Sequence, residues 1–585
     1  MYSVAFLIVL GLTLSLTATP SMLNFAYSQP AGGEGEQKRP NILLIMGDDF
    51  GFSDIGSFGS EISTPNLDSI AEEGKILINY HTHPTCSPAR STLLTGIDNH
   101  IVGFGTMHEF LAPNQVGKPG YEGYLNNKAP TIAQMLKDSG YYTLMSGKWH
   151  LGSDNSSTPL AKGFEESFSL LEGGALHFNS GLYVMGHHVT FVNNSKVVPR
   201  PDNITYSNDL YTNSMLSLLK KNQEDGKPFF AYLSFQVAHS PFQAPQEDIK
   251  KYDNTYNVGY DKIREQRFEK QKQLGMWPED LELPEYIPSV TPWSNLTKEQ
   301  QDYRSKVLAV RAAMIDNMDR NIGKILQYLK ETGEYDDTLI MFASDNGTSE
   351  PVEMADFVTV GINPDDQRKY VSTFNNSLTN IGNENSLVSF GAWGVAQSVS
   401  PLSGYKAAQS EGGIRAPFVI KLPGKETTLS KTSTEPEIVR PFVHVMDIMP
   451  SLLEYAGLQL PGSTYKESTV YPIMGRSVKP LFEGDVTKVY NNNEMVAQEL
   501  FNNAAVFMGD WKAVKNAPPL GTNNWQLFNI TSDIGENHDL AEQHPDVLEK
   551  LVSAYDDYSK DVGIIVPQFG NTSSALNSAE ETAPT

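Results

Sequence analysis

A single cysteine, Cys86, occurs in 585 residues. A lone cysteine cannot form an internal disulfide, so it is either an inert core residue or one kept for chemistry. It opens the run Cys86-Ser87-Pro88-Ala89-Arg90, which reads as a helix start with an arginine one turn on. A helix N-terminus and a nearby guanidinium both favour an anion at that position. A second set offers oxygen ligands: Asp48, Asp49, Asp345 and Asn346. Carboxylates and an amide carbonyl suit a hard cation such as Ca²⁺ or Mg²⁺, and no Cys/His spacing for zinc is present. One acidic pair alone could equally cap a helix or close a turn. Here two pairs each close an apolar run, which points to a cation site. A third set is basic: Arg90, Lys148, His150, His239 and Lys406. Taken singly, Lys148 could be a surface lysine and His239 a core histidine. Their settings argue for a site: Gly147-Lys148-Trp149-His150 just past a strand, Ala238-His239-Ser240-Pro241 closing another, and Gly404-Tyr405-Lys406 before a glycine-rich turn at 411–417.

Such residues need a frame. Asn41-Ile42-Leu43-Leu44-Ile45-Met46 is a continuous apolar run stopping at Gly47-Asp48-Asp49, the pattern of a buried parallel strand. Thr64-Pro65-Asn66 predicts a cap and a helix. Helix is predicted over 131–139, strand over 141–145 and 228–235, a long helix over 303–332, and strand over 338–343, ending at Ser344-Asp345-Asn346-Gly347. This alternation predicts an α/β fold: a large, mostly parallel sheet sandwiched by helices. In such sheets ligands sit at the carboxyl ends of the strands. After about residue 425 the pattern changes to short strands at 505–508, 511–514 and 525–529 and a helix at 545–558. They predict a smaller C-terminal α+β domain with a short antiparallel sheet.

Hydrophobic residues make up 39% and charged residues 19%, ordinary for a soluble enzyme. The net charge of -25 repels phosphate backbones and anionic lipid, so no nucleic-acid partner is expected. Any anion site must be a local basic pocket in an acidic surface. Residues 4–16 form an apolar run shorter than the roughly 20 residues of a membrane span. The run reads as a signal peptide over 1–28 with Ala26-Tyr27-Ser28 as the cleavage site, although no Lys or Arg precedes it. The chain is therefore expected to be exported (periplasmic, cell-surface or secreted), with an uncleaved N-terminal anchor as the alternative and no stable span after cleavage. The predicted layout is a linker at 29–40, a catalytic domain at 41–430, a smaller domain at 431–565 and a disordered Ser/Thr/Asn/Glu-rich tail at 566–585. Residues 246–300 and 351–400 read as insertions, the second as a loop over the site.

Together these residues resemble the formylglycine-dependent sulfatases of the alkaline-phosphatase-like superfamily. C-S-P-A-R-S-T-L-L-T-G at 86–96 fits C-x-P-x-R followed by T-G, the first signature of that family. G-Y-Y-T-L-M-S-G-K-W-H at 140–150 fits the second. G-D-D lies upstream, and D-N-G and G-x-K downstream, with no departure at any motif position. The resemblance covers roughly residues 40–560, and the stretch 98–107 is most similar to the bacterial-type arylsulfatases.

The resemblance implies hydrolysis of a small-molecule or carbohydrate sulfate ester to an alcohol or phenol plus sulfate. It implies that a separate maturation enzyme oxidises Cys86 to Cα-formylglycine. That removes an inconsistency, because a soft thiolate is a poor partner for a hard, all-oxygen cation site. One divalent cation is implied at Asp48, Asp49, residue 86, Asp345 and Asn346. Ca²⁺ is favoured over Mg²⁺ because several carboxylates in an all-protein cage suit the larger ion. By the same resemblance, the formylglycine hydrate attacks sulfur and Asp345 is a candidate to take its proton. Arg90, Lys148 and Lys406 stabilise the sulfuryl group. His239 or Lys406 protonates the leaving oxygen, and His150 takes the second hydroxyl's proton as sulfate departs. Two alternatives remain open: a phosphonate or phosphate ester hydrolase of the same superfamily, and a non-catalytic exported binding protein.

Overall fold

The computed structural model describes residues 39–178, 188–201, 206–286, 290–349, 364–424 and 436–568. The expected signal peptide, most of the linker, most of the tail and residues 351–363 of the second expected insertion lie outside the described residues. Among the described residues the first eleven strands in chain order are β1 (Asn41–Gly47), β2 (Lys75–Leu77), β3 (Tyr80–His81), β4 (Tyr142–Lys148), β5 (Glu166–Leu170), β6 (Phe191–Asn193), β7 (Lys196–Val198), β8 (Phe229–Ser234), β9 (Thr338–Ser344), β10 (Phe418–Lys421) and β11 (Glu437–Val439). Ten of them form one sheet in the order β11-β2-β10-β9-β1-β8-β4-β5-β6-β7. Its centre, β9-β1-β8-β4-β5, is parallel throughout. β10 and the β6–β7 hairpin run antiparallel to their neighbours.

The apolar run in β1 is continuous because both faces of the sheet are covered. Leu43 and Ile45 enter one core, beside Leu144, Ala231, Leu233, Ile340 and Phe342. Ile42, Leu44 and Met46 enter the other, beside Met145, Phe230, Tyr232, Leu339 and Met341. This is the period-two alternation of a strand with apolar surroundings on either side. The first face carries the helix Lys298–Thr332 and the helix Ser207–Asp225. The second carries Cys86–Thr95, Ile132–Asp138 and Ile448–Tyr455.

Two sequence expectations need correction. The long helix begins at Lys298, before the expected 303, because Thr297 and Gln300 form a reciprocal capping box. Thr64 does not cap the helix Pro65–Glu73 with its side chain. The Asp319 carboxylate, from the long helix, accepts from the backbone N–H groups of Asn66 (3.1 Å) and Leu67 (2.8 Å) instead.

Residues 246–300 include the helices Gln246–Ile249 and Tyr260–Gln273, and residues 364–400 include Pro364–Val371 and Ala392–Ser398. The C-terminal sheet has four antiparallel strands: Met495–Leu500, Asn503–Met508, Trp511–Lys515 and Gln526–Asn529. The helix Pro545–Val562 packs on one of its faces through Leu551 and Tyr555. Ile414 packs on the other face, against Ala505, Phe507, Val514 and Phe528. Among the described residues no helix is long and apolar enough to cross a membrane.

Candidate active site

The parallel register aligns Gly47 of β1 with Ser344 of β9. The residues after these two ends, Asp48-Asp49 and Asp345-Asn346, are thereby brought side by side. β8 lies against the other edge of β1, and β4 beyond it, so Ser234 and Lys148 reach the same rim. Lys148 is the last residue of β4 rather than just past it, and His150 follows two residues later. His239 lies five residues beyond the end of β8, not at the strand's close as expected. Cys86 is the first residue of its helix, and Arg90 stands one turn on. Thus the whole expected set converges, and all of it is buried or nearly so, with His239 at 16% side-chain exposure.

Ligand atoms of Asp48, Asp49, Cys86 and Asp345 all lie within 4.8 Å of one another. The Cys86 thiol is 3.5 Å from Asp48 Oδ1. Lys148 Nζ donates to Asp48 Oδ2 at 2.7 Å. Lys406 Nζ lies 2.9 Å from Asp49 Oδ1, and His239 Nε2 lies 3.9 Å from Asp49 Oδ2. Arg90 is pinned by Asp345 (2.8 Å), the Ser234 hydroxyl (2.5 Å) and the Lys148 carbonyl (3.2 Å). Asn346 Nδ2 donates to Asp49 Oδ1 at 2.6 Å, while its buried Oδ1 has no hydrogen-bond partner among the described residues. A buried amide oxygen left so is costly unless something fills the place of a donor. Three carboxylates and this orphaned oxygen form a donor set that fits one hard cation, with residue 86 beside them.

Burial pushes the Asp48 carboxyl up to about 7, against the pull of Lys148. Burial works the same way on Asp49, but Lys406 and His239 outweigh it and hold that carboxyl far below its usual range. Asp345 is likewise lowered, with Arg90 overcoming burial. Burial, then Asp345, drive the Cys86 thiol well above its ordinary value, so it stays neutral. Burial lowers His239 to about 4. It also lowers His150, against the opposing Glu109. Both imidazoles are therefore neutral at pH 7. Asp49 (φ 62°) and His150 (φ 57°) hold left-handed backbone conformations that cost non-glycine residues about 1–2 kcal/mol each. Such strain persists where surrounding structure imposes it, and it concentrates at functional sites.

Sequence reasoning missed Glu109 and Ser234. Glu109 lies in the short turn His108–Phe110, and its Oε1 is 3.1 Å from His150 Nε2. No spacing signal marks it. Ser234 could have been found as the terminal residue of an apolar strand.

A sulfatase family profile matches residues 40–458. The chain is 38% identical over 550 residues to an uncharacterized sulfatase of Schizosaccharomyces pombe, covering 91% of this chain and 95% of that one. It is 37% identical over 457 residues to an arylsulfatase of Klebsiella aerogenes, covering 77% of this chain and 94% of the relative. Among solved structures, Ps i-CgsB in complex with k-i-k-neocarrahexaose superposes with a TM-score of 0.62 at 23% identity, over 93% of this chain and 98% of that one. That likeness shows the shared fold. With the motif residues gathered at one strand-end rim and the profile spanning most of the chain, this protein belongs to the sulfatase family and is a sulfuric ester hydrolase.

Proposed function

We propose that the protein is an arylsulfatase-type hydrolase acting through formylglycine at position 86 and one Ca²⁺ ion. The observation that carries this reading is the setting of Cys86. Its thiol is buried among three carboxylates and kept neutral, so as cysteine it is neither a nucleophile nor a hard-cation ligand. Oxidation to the aldehyde by a maturation enzyme would put a hydrated oxygen nucleophile there. Asp48, Asp49, Asp345 and Asn346 would hold the cation, which when bound supplies Lewis-acid polarisation of the sulfuryl group and of the residue-86 hydroxyl.

This chain's own residues then divide the work. Arg90 is fixed at three points and presents a preorganised positive charge. Lys148 and Lys406 add charge from opposite sides, against Asp48 and Asp49. The three carboxylates balance the three cationic side chains, so a divalent cation leaves two positive charges for an anionic ester in an otherwise acidic molecule. His239 Nδ1 donates to the Ser240 carbonyl at 2.6 Å, which leaves Nε2 facing Asp49. Lys406 at Nζ holds a proton for the leaving oxygen, and His239 at Nε2 would hold one only with its ring charged. Glu109 accepts from His150 Nε2, so the lone pair of the neutral ring sits on Nδ1, a buried atom with no hydrogen-bond partner among the described residues. His150 Nδ1 is thereby set up to take the proton that releases sulfate. Export through a cleaved leader at 1–28 completes the reading and supplies the compartment in which the mature enzyme would work.

The test is peptide mass spectrometry over residue 86 with 4-nitrophenyl sulfate turnover on one natively produced batch. Thiol-to-aldehyde conversion lowers the peptide mass by about 18 Da. An aldehyde with turnover supports the reading. An aldehyde that turns over phosphate diesters or phosphonates but no aryl sulfate moves the chain to the phosphoester class. An unmodified Cys86 in active protein sinks it.

A further inference from the structure

We propose that the C-terminal sheet positions Lys406 through Asn503 and Asn516, which hold the backbone that follows it. The inference rests on Lys406 acting on the sulfuryl group, as proposed above.

Lys406 stands on an irregular segment, and its ammonium ends a flexible four-carbon stem. The backbone at 406–411 therefore decides where that charge can reach. Residues on and beside three strands far along the chain grip this segment. Asn503 Nδ2 donates to the Ala407 carbonyl at 2.9 Å. Asn516 Oδ1 accepts from the Gln409 N–H at 2.8 Å, and its Nδ2 reaches Ser410 Oγ at 3.1 Å. Gln498 Nε2 donates to Gln409 Oε1 at 2.7 Å. Lys512 bridges Glu411 (2.8 Å) and Glu536 (2.7 Å), while Glu536 also accepts from the Glu411 N–H at 2.7 Å. All of these side chains but that of Ser410 are buried.

Ala407 shows what the grip accomplishes. Its φ of 71° lies in the left-handed region that alanine avoids. Two contacts hold it there: its N–H donates to the Pro84 carbonyl at 2.8 Å, two residues before Cys86, and its carbonyl accepts from Asn503. Lys406 N–H itself bonds to the Thr348 carbonyl at 2.9 Å, close after Asn346. The segment is thus tied to the nucleophile's helix, to the cation ligands and to the distant sheet. The first two ties come from the catalytic rim. From outside it, Asn503 and Asn516 hold the backbone of Ala407 and Gln409 directly. An unstrained backbone at Ala407 would re-aim the Lys406 side chain away from Asp49, and small displacements of a charged group at a reacting centre are costly in rate.

A general gluing role predicts a different pattern from a positioning role, and a double-mutant cycle separates them. The mature, cation-loaded enzyme is assayed with 4-nitrophenyl sulfate as Asn503→Ala, Asn516→Ala and Lys406→Ala, singly and with each asparagine variant in the Lys406→Ala background. Leu527→Ala serves as control: it loosens the same sheet beneath the helix Pro545–Val562, on the face away from residues 407–411. Each asparagine variant is expected to lower kcat about tenfold, and in the Lys406→Ala background to change it less than about twofold. Leu527→Ala is expected to lower thermal stability while leaving kcat within about twofold. Asn516→Asp keeps an oxygen acceptor for the Gln409 N–H and should recover most of the loss, which also guards against a misfolded alanine variant. Equal losses with and without Lys406, or no loss in the parent enzyme, would overturn the inference. A Lys406→Ala enzyme of unchanged turnover would instead remove the proposed role of Lys406, and the inference with it.

Discussion

His100 should make the stability of this protein depend on alkaline pH. It is fully buried between two carboxylates, with Nδ1 3.0 Å from Asp98 Oδ1 and Nε2 2.9 Å from Glu499 Oε2. Burial disfavours its charge, but Asp98 and Glu499 outweigh burial and raise it from 6.5 to about 9. A raised histidine stabilises the fold fully below its unfolded value, and that contribution is lost as pH rises from 6.5 through about 9. At 1.36 kcal/mol per unit, the shift corresponds to about 3 kcal/mol. The perturbation is His100→Gln, which keeps polar atoms but cannot carry the charge. Urea unfolding of parent and variant at pH 6 and pH 10, under the same cation concentration, removes groups that titrate in both proteins. The stability gap between them should be about 3 kcal/mol larger at pH 6 than at pH 10. A gap of the same size at both pH values would refute the charged-imidazolium reading, and Asp98 and Glu499 would then hold a neutral ring.

Three further outcomes are expected. Cys86→Ser protein should release at most one equivalent of 4-nitrophenol and then stall, because a sulfated serine lacks the second hydroxyl that expels sulfate; a pre-steady-state burst followed by continued turnover would contradict this. Chelator treatment should abolish turnover, and Ca²⁺ should restore it at lower concentration than Mg²⁺, as read by titrating each ion back; full activity after verified metal removal would exclude the cation site. Asp319→Ala should lower stability by about 2 kcal/mol by uncapping the helix Pro65–Glu73, with kcat unchanged, as thermal melts and turnover on the same samples would show.

The residues Cys86, Arg90, Asp48, Asp49, Asp345, Asn346, Lys148, His150, His239 and Lys406 could be singled out because each sits in a short motif at or near a strand end, at a helix start or before a glycine-rich turn. β1, β8 and β9 were equally legible, since a strand covered on both faces is apolar without interruption. The start of the long helix was less so. Its first turn is polar and solvent-facing, so periodicity shows only from about Tyr303, although the helix begins at Lys298.

Local pattern therefore picked out the side chains that gather at the rim and the strand ends beside them, because periodicity and motif spacing act over a few residues. Only the tertiary structure decided what surrounds them. Asp319 caps a helix 253 residues away, Glu109 meets His150, and Asn503 and Asn516 grip the loop after Lys406 from a separate sheet. These partners are ordinary polar residues with no spacing signature. Each was selected by the particular unsatisfied group that packing brought beside it, and a buried polar atom takes whatever partner the fold delivers.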